Sequence, residues 1–248
     1  MKGRSQSSST QTRRSSGARE WTVAAAVAEL RRHGKKRNVE GMARYGIRVK
    51  KAFGVSKPKL DEIVRRIGKN HELGIRLWNT GIHDARLLGM LIAEPGKVRA
   101  QLMERWVLEF DNWDVCDGTC CHLFVFTQPA WTKAYAWTKR KQEFQKRAGF
   151  ALTAFLAVHD KEAADNRFRK FLPMIEREAW DQRNFVRKAV NWALRSIGKR
   201  NLRLNQDAIA CAERIRRQES RAARWIANDA LRELKSEAVQ VRLRRKKA

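Results

Sequence analysis

Asn191-Trp192-Ala193-Leu194-Arg195 returns thirty-seven residues later as Asn228-Asp229-Ala230-Leu231-Arg232. Phe150-Ala151-Leu152 aligns with Trp192-Ala193-Leu194 at an offset of 42, and Asp84-Ala85-Arg86-Leu87-Leu88-Gly89 is a looser relative. Each copy lies in a segment with apolar residues at helical spacing. Offsets near 40 with paired helices mark repeats that cannot bury their apolar faces alone and must stack on neighbours. Small residues at the repeated positions let the stacked helices approach.

From Trp21 onward only Pro58, Pro95, Pro129 and Pro173 interrupt the helical pattern. The periodicity predicts helices over 21–32, 39–50, 71–79, 84–93, 98–110, 130–139, 143–158, 166–180, 185–197, 206–217 and 221–232. Pro58 opens a further helix at its first turn, where a proline is tolerated because that N–H has no intrahelical partner. No segment reads as a strand. The predicted fold is an all-α, right-handed solenoid of HEAT-like helical repeats with a concave basic groove. It occupies residues 20–234 between a disordered basic arm (1–19) and a basic tail (235–248), without a Gly- or Pro-rich linker inside it.

The chain of 248 residues carries 54 Lys and Arg against 26 acids, a net charge of +28. The first nineteen residues hold five of these charges and residues 236–248 a net four, so the stretch between retains +19. A folded body with that excess attracts polyanions, nucleic acid foremost, although a merely soluble basic protein shares the charge. No apolar run approaches the roughly 18–20 residues of a membrane span. The N-terminus lacks the apolar core of a secretory signal. Cysteines at 116, 120, 121 and 211 do not form a disulfide framework, which fits a reducing cytoplasm and, with the charge, the nucleoid.

Reactive groups concentrate in Asp111-Asn112-Trp113-Asp114-Val115-Cys116-Asp117-Gly118-Thr119-Cys120-Cys121-His122. Asp111 or Asn112 can cap a helix beginning at Trp113. Trp113 and Asp117 then share one face, one turn apart. An indole beside a carboxylate suits a reaction whose transition state is cationic, since both stabilise positive charge. The same pair also fits a core tryptophan beside a surface aspartate. Cys116, Cys120, Cys121 and His122 lack the spaced pairs that structural zinc needs, and read better as small buried hydrophobes; no metal or cofactor is expected. Cations recur early in successive apolar helices: Lys146-Arg147 before Ala148, Arg187-Lys188 before Ala189, with Lys199-Arg200 at the following turn. At equivalent points of stacked helices they would line one groove and track a phosphate backbone, although any single one also fits a solvated helix face.

Together these residues resemble the DNA alkylation repair family, the AlkD-type glycosylases built from HEAT-like repeats, over about residues 37–234. The family's Trp-x-x-x-Asp element is matched by Trp113 to Asp117, its Arg-Ala pattern by Arg147-Ala148, its later aromatic by Trp192-Ala193-Leu194-Arg195, and its first repeat by Met42-Ala43-Arg44-Tyr45. The resemblance implies hydrolysis of the N-glycosidic bond of N3- or N7-alkylated purines in double-stranded DNA by a monomer. Asp117 would stabilise an oxocarbenium-like sugar, and Trp113 and Trp192 would pack on the lesion nucleotide near Tyr45. Arg147 would hold a nearby phosphate. The long basic arm, the Cys120-Cys121 pair and the basic tail depart from the family pattern and bear on substrate range. The other readings of the same chain are a non-catalytic HEAT-like protein that binds bent, branched or damaged DNA, and a protein-binding scaffold.

Overall fold

The computed structural model describes residues 21–245, so the arm expected over 1–19 lies outside the described residues. Three helices open the chain: α1 (Val23–His33), α2 (Lys36–Arg44) and α3 (Lys57–Ile67). Helix pairs follow: α4 (His71–Trp78) with α5 (His83–Ile92), α6 (Ala100–Leu108) with α7 (Trp113–His122), and α8 (Ala130–Trp137) with α9 (Glu143–His159). Next come α10 (Asp165–Arg169) and α11 (Leu172–Glu178) with α12 (Asn184–Gly198), then α13 (Leu202–Arg216) with α14 (Arg221–Leu234), and finally α15 (Glu237–Arg245). No strand occurs among the described residues, and no helix there is long and apolar enough to cross a membrane.

The second helices of the pairs form a continuous row, α5 on α7, α7 on α9, α9 on α12 and α12 on α14. Their partners α4, α8 and α13 cover one side, so each repeat buries its apolar face on the next. The main core runs through the row from Trp78, stacked on Trp106 at 3.9 Å, to Leu234, and a smaller cluster around Leu30, Ile63 and Leu73 closes the N-terminal end. Polar bonds tie each repeat to the next. Trp78 Nε1 donates to Glu109 across 31 residues, Trp131 Nε1 to Asp160 across 29, and Asn191 Nδ2 to Asp229 across 38. Gly149 marks the closest crossing, because a Cβ there would lie 2.4 Å from the Thr138 nitrogen at the end of α8.

Three sequence expectations change. The helix expected over 39–50 starts earlier and stops at Arg44, since the chain turns through Gly46 at φ +77°, which no helix can continue through. The helix expected over 166–180 is two helices. Pro173 has no N–H to bond back to Arg169 and sits instead in the first turn of α11. The basic segment from 235 is not a free tail up to Arg245: α15 buries Val239 and Leu243 and packs against α13 and α14.

Candidate functional site

Asn112 is the cap that starts α7, its side chain accepting from the Val115 N–H at 3.0 Å, while Asp111 accepts from Asn112 Nδ2. That fixes Trp113 as the first helical residue and Asp117 as the fifth, one turn on. Arg147 is the fifth residue of α9, the next helix in the row. Its guanidinium grips Asp117 with both prongs, Nε to Oδ1 at 2.8 Å and Nη2 to Oδ2 at 2.6 Å, and Nη1 donates to the Phe185 carbonyl of α12 at 2.7 Å. One arginine thus ties three successive second helices at a single point. The Arg147 side chain is 8% exposed and that of Asp117 17%, so the pair is nearly dry but reachable.

Burial pushes the Asp117 carboxyl above the ordinary carboxylate value, against the opposing pull of Arg147. Burial also disfavours the charge on Arg147, and Asp117 more than offsets it, leaving the guanidinium's pKa raised. The carboxylate has about four lone-pair directions. Arg147 occupies two, so Asp117 keeps acceptor capacity while its orientation is fixed.

The Trp113 indole is fixed from the other side, its Nε1 donating to the Tyr45 carbonyl at 2.9 Å across 68 residues. The next residue, Gly46, abuts Phe185: a Cβ added there would lie 2.8 Å from Phe185 Cζ. The turn between α2 and α3 therefore spans from Trp113 to α12. The Tyr45 side chain itself is 72% exposed. Beside Trp113 lies an open cleft of about 590 Å³ whose walls include Met42, Tyr45, Leu87 and Asp114. Asp114 leaves the Asp117 face and meets buried His83, Oδ2 to Nε2 at 3.2 Å.

The fifth residues of α7, α9, α12 and α14 are Asp117, Arg147, Lys188 and Trp225. Lys188 is exposed, and Arg187 beside it is half-buried, its guanidinium 4.7 Å from the Trp225 ring centre. Neither pairs with a carboxylate among the described residues. Both stand on the same row of helices as Asp117 and Arg147.

Other cations expected in the groove have partners within the protein. Lys146 turns inward, 9% exposed, with Nζ 2.5 Å from Glu178 and 3.2 Å from Asp181. Arg200 donates to the carbonyls of Ala157, Lys161 and Ala163 and stacks on Phe168 at 4.1 Å, closing the end of one repeat onto the next. Lys199 is half-buried and paired with Glu233 at 2.6 Å. Arg147, expected to hold a phosphate, holds Asp117. Trp192 packs edge-on against Phe155 at 4.8 Å and lines a separate cavity of about 410 Å³ with Lys161, Lys199 and Arg242, two helical turns beyond Phe185.

Three of the four thiols are buried in the core, and Cys121 is half-buried. Cys116 and Cys120 donate to the Phe144 and Ala148 carbonyls of α9, and Cys211 to Leu172. Burial pushes Cys116 far above the ordinary thiol value and Cys211 up to about 12, which leaves neither a thiolate nucleophile. Phe185, His83 and Trp225 enter the site without having been singled out in the sequence. Trp225 was readable, because the 37-residue offset places it opposite Lys188, where a buried role is not expected.

Paired helices stacked in one row, with a carboxylate–arginine pair and a tryptophan on that row, define a solenoid of HEAT-like helical repeats. The family model described as "DNA alkylation repair enzyme" matches residues 26–234. The chain belongs to that family. Two Listeria relatives, uncharacterized proteins Lmo0209 of Listeria monocytogenes and Lin0241 of Listeria innocua, are 25% and 26% identical over 103 residues. Those matches span 40% of this chain and 46% of each relative, so under half of their length is shared. Among solved structures, the chain superposes with a TM-score of 0.71 at 20% identity, over 90% of this chain and 96% of that one. That structure represents a new family of proteins related to the HEAT-like repeat DNA glycosylases with affinity for branched DNA structures. At this identity the likeness establishes the fold.

Proposed function

We propose that this chain is a DNA glycosylase that hydrolyses the N-glycosidic bond of cationic N3- or N7-alkylated purines in duplex DNA. The observation that carries the reading is the nearly dry, doubly held carboxylate of Asp117 one turn from Trp113. Alkylation makes the purine a cationic leaving group, and its departure leaves positive charge on the sugar. A fixed carboxylate in a poorly solvated site stabilises that charge without reorganising, and its remaining lone pairs can orient the attacking water. Trp113, with Tyr45 beside it, offers a flat apolar surface to the lesion nucleotide, and Arg187 and Lys188 offer phosphate contacts along the same row. Arg147 acts by orienting Asp117. The protein works as a monomer on DNA in the cytoplasm, with no metal or cofactor.

The test is release of 7-methylguanine and 3-methyladenine from methylated duplex DNA. Wild type is expected to release them, and Asp117→Asn to lose about 10²–10³-fold in rate with duplex affinity retained. A second reading, a non-catalytic binder of branched DNA, draws on the fold likeness to a family with that affinity. Wild type that binds a four-way junction tightly and releases neither base establishes the second reading and ends the first.

A further inference from the structure

The last repeat carries an aromatic residue with no packing duty that explains its exposure. Trp225 is 38% exposed, on the fifth position of α14. The guanidinium carbon of Arg187, on α12, sits over its ring at 4.7 Å from the centre, steadied by a bond from Nη2 to Asn184 Oδ1 at 3.3 Å. Arg221, Arg224 and Lys188 around them are exposed, and none of the three pairs with a carboxylate among the described residues. Elsewhere on this row cations are neutralised inside the protein, as Arg195 is by Glu233 and Asp229. The first turns of α12 and α14 are the exception.

We infer that Trp225 and Arg187 form a phosphate clamp for the duplex flanking the lesion, in which the indole is the platform that holds the guanidinium for a phosphodiester. Resting on the glycosylase reading only for the location of the lesion at Asp117, the clamp has a definite reach. Two helix-to-helix steps of about 8–10 Å separate α7 from α12, which carries Arg187; that is roughly 18 Å, or about five base pairs of duplex. A guanidinium stacked on an indole loses little freedom when it binds, and its planar fork suits phosphate oxygens. Trp225 is a positioning residue, and Arg187 is the contact.

The experiment measures affinity of the full chain for a labelled unmodified duplex of about 20 base pairs across a salt series. Arg187→Gln and Trp225→Ala should each reduce the salt slope by about one and weaken binding several-fold, with the double variant no worse than either alone. Trp225→Phe should restore the slope, because a phenyl ring still supports the guanidinium. An unchanged slope in Trp225→Ala, or additive losses in the double variant, overturns the clamp. Thermal melting of each variant separates a folding defect, and a Trp225→Ala chain that melts as wild type with an unchanged slope is decisive against it. Binding without base release would end the glycosylase reading and leave the clamp standing.

Discussion

Asp117 shows how one residue can be legible in type and position yet not in state. Its place one turn after Trp113 follows from the Asn112 cap, and both were readable. Its bidentate partner was not, because Arg147 and Lys146 are adjacent cations in an apolar helix and the sequence treats them alike. The pair fixes a pH signature. Burial raises the Asp117 carboxyl above the ordinary value of 3.8, and Arg147 opposes the rise. A raised carboxyl takes up its proton earlier as pH falls, so an activity that needs the charged form loses its acid limb above the ordinary carboxylate range. Arg147→Gln removes the opposing charge and should move that limb to still higher pH. Single-turnover release of 7-methylguanine against pH checks both, and a limb at or below the ordinary value in wild type would contradict the burial argument.

Among elements, α9 explains why the basic pattern was only half readable. It lies between α7, α8 and α12 and is buried from Gln145 to Ala154 without a break. Apolar residues follow Lys146-Arg147 on every side, so periodicity names no solvent face, and both cations turn inward. The equivalent pair on α12 has an open side, where Lys188 emerges. The contrast is measurable. Lys146→Ala removes the cation shared by Glu178 and Asp181, which keep Arg177 and Arg183 as partners, and should cost about 1–3 kcal/mol of stability with no change in the salt slope of duplex binding. Lys188→Ala should do the reverse, lowering the slope by about one with an unchanged melting temperature. Equal effects of the two substitutions on DNA affinity would place Lys146 in the groove after all.

At the scale of the whole molecule the repeat period made the fold legible, because in a solenoid each unit meets mainly its neighbours. What it could not show is the contact that breaks the rule, the turn at Tyr45 and Gly46 that touches Trp113 and then Phe185, 139 residues further along. Nothing periodic encodes such a span. It depends on Gly46, whose φ of +77° and proximity to Phe185 both exclude a side chain. Gly46→Ala should therefore lift the turn from α12: the left-handed backbone costs about 1–2 kcal/mol for alanine, and the methyl collides with the Phe185 ring. The loosened turn withdraws the acceptor for the Trp113 indole, so amide exchange over 44–50 should accelerate and Trp113 should lose its fixed orientation. Base release should fall with it, while exchange in the α13–α14 repeat and the salt slope of duplex binding stay as in wild type. If exchange over 44–50 is unchanged in Gly46→Ala, the turn is held by other contacts and Trp113 does not depend on it.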